Sequence, residues 1–143
     1  MPDKTLVIVK PDHEHLAEEI LKKLDKHAKR IKTARIDKVP KEIVEEHYSI
    51  HKEKDFYERL INSFKDRRVV VVVYEGNNII KKFIEIIGNT DPSKAAKGTI
   101  RKEFSDDSID VAISEGRAVK NVIHRSDSSA EFEREMKVWE KFF

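Results

Sequence analysis

The sequence predicts an α/β sandwich in which helices cover one face of a single sheet. Three observations carry that reading: a run of five valines in RRVVVVVYEG, several stretches with apolar residues at helical spacing, and the near-alternation of the two kinds of segment along 143 residues. A chain of that length is sized for one domain around one core.

Thr5 to Val9 is a short apolar run suited to a buried strand, ended by Pro11, which cannot continue a ladder. Asp12 stands ready to cap the next helix. From His13 to Lys29, Leu16, Ile20, Leu21 and Leu24 recur at helical spacing among charges, which predicts an amphipathic helix. IKTARIDKV, Ile31 to Val39, alternates as a half-exposed strand does. Pro40 opens another helix, where its missing N–H costs nothing, and that helix carries Ile43, Val44, His47 and Tyr48.

Asp55 to Lys65 places Phe56, Leu60, Ile61 and Phe64 on one helical side. Val69 to Tyr74 is so uniformly apolar and β-branched that it reads as a central strand. Asn77 to Ile87 returns to helical periodicity, with Gly88 as its stop. Asn89 to Lys120 has few periodic signals, and loops that long tend to be functional, to form interfaces or to be disordered. Within it, Ile109, Ala112, Ile113 and Gly116 permit a short helix. Val119 to Ile123 is the last predicted strand. Ser128 or Ser129 then caps a helix through Phe132, Glu135, Met136 and Trp139. The resulting order is βαβααβα before the long stretch, and the order of strands in the sheet is left open.

Composition narrows the function. Charged residues make up 39% and mean hydropathy is −0.62, yet the apolar runs are too strong for a disordered chain. Lys+Arg 29 against Asp+Glu 27 leaves a net charge of +2, so no global field points to nucleic acid or an anionic membrane. The absence of cysteine excludes disulfides, zinc–thiolate sites and thiol catalysis. No signal peptide or membrane-length apolar run is seen, so the expectation is a cytoplasmic protein.

His124 closes an apolar run one step before Ser-Asp-Ser. Taken alone it reads as a strand-end histidine satisfied by hydrogen bonds. Its company shifts that balance: an imidazole beside hydroxyls and a later Glu has what a phosphate-accepting nucleophile needs, a free ring nitrogen and an acid to hold the other. Lys10 at the end of the first strand and Arg101 in GTIR could clamp a polyphosphate from separate segments. Neither a Walker A pattern nor a kinase glycine loop is present, so such a site is of another type.

The segments TLVIVKPD, EHYSIHKEKDFYERL, VVVVVYEG, IIGNTDPSKAAKGTIRKEF and NVIHRSDSSAEFEREMKVW, in that order, resemble those of nucleoside diphosphate kinases. The resemblance implies a ferredoxin-like βαββαβ core with a four-stranded antiparallel sheet and covering helices. It implies a ping-pong reaction, in which the γ-phosphoryl of a nucleoside triphosphate passes to a histidine and then to a nucleoside diphosphate. His124 matches the phosphorylated histidine, Glu135 the carboxylate that orients it, and Ser126 the serine beside it. Lys10, Tyr48, Thr90, Arg101 and Asn121 match phosphate and ribose contacts, Phe56 the aromatic under the base, and Leu60 fits the apolar side of that slot. Mg²⁺ is implied on the nucleotide phosphates, with no metal ligand from the protein, and a homo-oligomer, a hexamer or smaller, is implied as the assembly.

The chain departs from the family pattern at Ile84, where a phosphate-binding Arg is usual, and at Arg125, where Gly or Ala is usual; Arg125 or Lys81 could restore the charge. The stretch around residues 102–118, with the insert SDDSIDVAISEGRA, is about twice the usual length, and the whole of 1–143 reads as one such domain with that loop extended. An alternative reading is a catalytically weakened nucleotide-binding or sensor domain on the same fold. A ferredoxin-like nucleic-acid binder has little support from the balanced charge. His13 and His15, like His47 and His51, read as solvated helix histidines, and Trp139, Phe142 and Phe143 as packing residues.

Overall fold

The computed structural model describes residues 2–143. Its elements are β1 (Pro2–Val9), α1 (Ala17–Asp25), β2 (Lys29–Ile36), α2 (Lys41–His47), α3 (Tyr57–Phe64), β3 (Val69–Asn77) and α4 (Ile79–Ile87), followed by α5 (Ile100–Phe104), α6 (Ile109–Ser114), β4 (Ile123–Arg125) and α7 (Ser129–Trp139). The four strands form one antiparallel sheet in the order β2-β3-β1-β4. This is the ferredoxin-like βαββαβ core.

The valine run explains the layering. Val69, Val71 and Val73 face one side and Val70, Val72 and Tyr74 the other, all buried, because side chains alternate across a strand. The first set meets Leu6 and Ile8 of β1 and packs under α2, α3 and α7 through Ile43, Val44, Ile61, Phe64, Phe132 and Trp139. The second meets Val7 and Val9 and packs under α1, α4 and α5 through Ile20, Leu24, Ile79, Phe83, Ile87 and Ile100. Helices therefore cover both faces, not one as the sequence suggested. Each large side chain so enclosed contributes about 1.5–3 kcal/mol of transfer free energy.

Other boundaries move for local reasons. The first helix begins at Ala17, after a 3-10 turn over Pro11–Leu16, and Asp12 caps nothing: its carboxylate pairs with Arg67 at 2.8 Å. β2 is shifted towards the N-terminus, with an irregularity between Arg30 and Lys32. Val39 leaves the sheet, donating to the Arg67 carbonyl at 3.0 Å and accepting from the Asp66 amide at 2.8 Å. The last strand is only Ile123–Arg125, because Val122, at φ 78°, breaks the extended run that the sequence placed at 119–123. His124 thus sits inside β4, paired across from Ile8, not beyond its end.

Candidate active site

A cavity of about 430 Å³ opens where the C-terminal end of β1, α2, α3, α6, β4 and α7 converge. At its floor the His124 Nε2–H donates to Glu135 Oε2 at 2.9 Å. Glu135 Oε1 accepts from the Ser126 hydroxyl at 2.6 Å, and Ser126 Oγ in turn accepts from the Leu6 amide at 3.0 Å. Both carboxylate oxygens are occupied, so the imidazole is held by Nε2 and keeps the Nδ1 lone pair free. Burial, and then Lys10, push the His124 pKa down to about 3, which keeps that lone pair available at neutral pH. Burial pushes Glu135 the other way, above the usual carboxylate range.

α7 can present Glu135 because Ser128 caps the helix, its hydroxyl accepting from the Glu131 amide at 3.1 Å. β4 can present His124 because Arg101 grips the strained chain around Val122. Its guanidinium donates to the carbonyls of Asn121 at 3.0 Å, Ile123 at 2.7 Å and Gly88 at 3.0 Å. A β-branched residue at positive φ costs about 1–3 kcal/mol, and these bonds hold it there. Arg101 is 5% exposed, and burial followed by Arg125 lowers its pKa to about 10.

Lys10 leaves the end of β1 and donates to Asn121 Oδ1 at 2.5 Å, while Asn121 Nδ2 donates to the Thr90 carbonyl at 3.0 Å. Burial, and then Arg101, lower the Lys10 pKa to about 7. Tyr48, at the end of α2, borders the cavity with its hydroxyl pKa raised by burial. Phe56 and Leu60 form an apolar wall, and Ile109, Ala112 and Ile113 of α6 line the cavity as well. The arrangement offers a nucleophilic ring nitrogen, cations for phosphate and a slot for a flat apolar face.

The sequence profile of nucleoside diphosphate kinases matches residues 3–142. The chain belongs to the nucleoside diphosphate kinase family. Among curated members, the nucleoside diphosphate kinase of Methanocaldococcus jannaschii is 36% identical over 143 residues, spanning 99% of this chain and 95% of that protein. That of Staphylococcus epidermidis is 36% identical over 139 residues, spanning 96% and 87%. Among solved structures, the nucleoside-diphosphate kinase of Borrelia burgdorferi, a transition-state mimic with bound vanadate and ADP, matches with a TM-score of 0.91 at 29% identity, covering 96% of this chain and 86% of that one. The NDP kinase of Pyrobaculum aerophilum matches with a TM-score of 0.88 at 28% identity, covering 97% and 96%. As a member of this family, the chain is a phosphotransferase acting on nucleotides, and nothing in these comparisons supports the weakened sensor reading.

The residues that the sequence nominated for the kinase site do not all sit alike. Lys10, Tyr48, Phe56, Leu60, Thr90, Arg101, Asn121, His124, Arg125 and Glu135 border the cavity. Ser126 does not; fully buried, it positions Glu135 and touches no open space. Lys81 lies exposed on α4 and borders neither this cavity nor the smaller one beside it, so of the two replacement cations only Arg125 shares the cavity of the nucleophile.

His47 corrects the sequence reading most. It is buried, its ring meets His124 edge-on at 4.5 Å, and its Nδ1 accepts from Trp139 Nε1–H at 3.0 Å. The sequence signal was available: His47 follows Ile43 by four residues and Val44 by three, on the apolar face of α2. His47, His124 and Glu135 place ligand atoms within 4.8 Å of one another, but the engaged Glu135 oxygens and His47 Nδ1 favour orienting a ring over holding an ion. His13 is not freely solvated either, since its Nε2 donates to the Phe104 carbonyl at 2.9 Å.

Proposed function

We propose that His124 Nδ1 attacks the γ-phosphorus of a nucleoside triphosphate, forming a P–N bond as the bond to the β-phosphate oxygen breaks and the diphosphate leaves. A second nucleoside diphosphate then takes the phosphoryl group by the reverse displacement. The observation that carries this reading is the free Nδ1 of a neutral imidazole whose Nε2–H is fixed on Glu135. Phosphorylation at Nδ1 makes the ring cationic, and the carboxylate at 2.9 Å stabilises that charge as it develops.

Lys10 supplies a point charge to the phosphates, with Tyr48 and Thr90 bordering the same space. Arg101 serves chiefly by holding the carbonyls of Asn121 and Ile123 and leaves two of its five N–H groups for ligand. Asn121 orients the Lys10 ammonium. Phe56 offers a stacking face to any base, with Leu60 beside it and the α6 isoleucines lining the same cavity, which favours broad nucleotide specificity.

Mg²⁺ fits this site as a passenger on the nucleotide. The cavity carboxylates besides Glu135 are Asp127 and Glu131, and Asp127 is 73% exposed at the side chain. Phosphate oxygens and water would therefore hold the ion, which neutralises phosphate charge when bound. We read residues 1–143 as one domain whose extension at 102–118 adds a wall to the site, and the protein as a cytoplasmic homo-oligomer, a hexamer or smaller. The unpaired edge of β2, with Ile31 exposed, suits self-association.

Incubation with Mg²⁺ and γ-labelled ATP tests the central claim. Acid-labile label that chases into GTP or CTP, and is absent from His124→Ala, is the expected result. Nucleotide binding without label transfer would overturn it.

A further inference from the structure

Arg125 follows the nucleophile on β4, and strand alternation sends its side chain to the opposite side of the sheet from His124. There it forms part of the boundary between the catalytic cavity and an adjoining one of about 380 Å³ lined by Ile84, Thr90 and Thr99. Arg125 and Thr90 border both cavities. The Arg125 side chain is 13% exposed and its Nε is enclosed without a partner, while one terminal nitrogen bonds the carboxylate of Asp127, itself 73% exposed.

Three of the cations that line the cavity with His124, namely Arg101, Lys10 and Arg125, differ in how freely they can meet a ligand. Arg101 has three donors committed to backbone carbonyls, two flanking Val122 and one at Gly88. Lys10 is bonded to Asn121. Arg125 is held by a single carboxylate open to water, and ion pairs of that kind are weak and readily exchanged. A diphosphate offers several charged oxygens in the forked geometry that guanidinium prefers. Without a counter-charge, Arg125 and Arg101 would repel, and each also bears on His124.

We propose that Arg125 is a phosphate ligand of this kinase, and that Asp127 is its internal stand-in, neutralising Arg125 in the empty site and giving it up to the nucleotide phosphates. The proposal rests on the phosphotransfer reading above and adds to it a competition inside the chain. Asp127 then lowers nucleotide affinity through Arg125, and the two residues are energetically coupled.

The test is the dissociation constant of ADP, by titration calorimetry, for the wild type, R125Q, R125K, D127N and the R125Q/D127N pair, with labelling of wild-type His124 run alongside. R125Q is expected to weaken ADP about tenfold, the scale of one lost charge-assisted contact, and R125K by less. D127N is expected to tighten ADP several-fold in the wild-type background and to change it less than about twofold beside R125Q. An unchanged constant in R125Q would overturn the ligand role. Equal tightening by D127N in both backgrounds would overturn the competition, since Asp127 would then act only through its field. Should R125Q fail to fold, absence of tightening in D127N alone overturns the proposal. Failure of the wild type to take label would instead sink the phosphotransfer reading, so the two failures are separable.

Discussion

At the scale of single residues, the site works by keeping ionisable groups short of water. Lys10 is the clearest case, with burial and the Arg101 charge holding its pKa near 7 in the empty site. A bound phosphate supplies the missing anion and raises that pKa, so nucleotide binding takes up a proton. The uptake is close to one proton at about pH 8.5, where the empty site is largely neutral at Lys10, and falls as pH drops below about 6. Affinity therefore weakens as pH rises through 7. Calorimetric binding enthalpies at about pH 8.5 in buffers of different ionisation enthalpy read this directly, and an enthalpy independent of buffer would show Lys10 already charged. His47 belongs to the same scale: neutral, fixed by Trp139 and edge-on to the nucleophile, it limits the tilt of the His124 ring.

At the scale of elements, the decisive feature is how α4, α5 and β4 are tied together. α4 ends at Gly88, φ 94°, whose carbonyl accepts from Arg101 at 3.0 Å. A Cβ added at Gly88 would stand 2.7 Å from Thr99 Cβ, the residue that caps α5. Gly98 has the same φ of 94° and open space around its would-be Cβ. Gly98→Ala is therefore expected to cost only backbone strain, about 1 kcal/mol, and Gly88→Ala about 2–4 kcal/mol with a Tm lower by roughly 10 °C. Thermal denaturation of the two variants side by side checks this, and equal losses would remove the Thr99 contact from the account. Because Arg101 links Gly88 to the strand of the nucleophile, Gly88→Ala should also slow phosphorylation more than Gly98→Ala does.

At the scale of the whole molecule, burying two histidines on one face of the sheet links folding to pH. Burial pushes His124 down to about 3, and His47 lies well below the usual histidine value for the same reason. An unfolded chain protonates both near 6.5 while the native one does not, so the stability these two histidines govern is full above about pH 7 and is lost progressively from about 6.5 downwards. Glu135, raised by burial, binds a proton more readily when folded and recovers part of the loss at lower pH. The slope is about 1.4 kcal/mol per pH unit at about pH 6.5 and approaches at most about 2.7 for two groups a unit lower, and urea unfolding from about pH 7.5 to 5 measures it. His47→Gln is expected to reduce that slope by about half; a slope unchanged by this variant would mean His47 is not buried neutral. Periodicity and residue type by themselves determined the succession of strands and helices as far as Gly88, the central place of the valine run, the stop at Gly88 and a cap at Ser128 or Ser129. The motif residues named His124, Glu135, Lys10 and Arg101 as members of one site. Only the tertiary structure decided that helices cover both faces, that Ser126 and Arg101 act largely through what they hold, that His47 and Trp139, 92 residues apart, meet beside the nucleophile, and that Arg125 and not Lys81 borders the cavity. Local patterns report which side of an element is buried. Which buried polar groups then satisfy one another depends on contacts between segments as distant as Leu6 and Ser126, 120 residues apart, and those exist only once the sheet has brought its strands together.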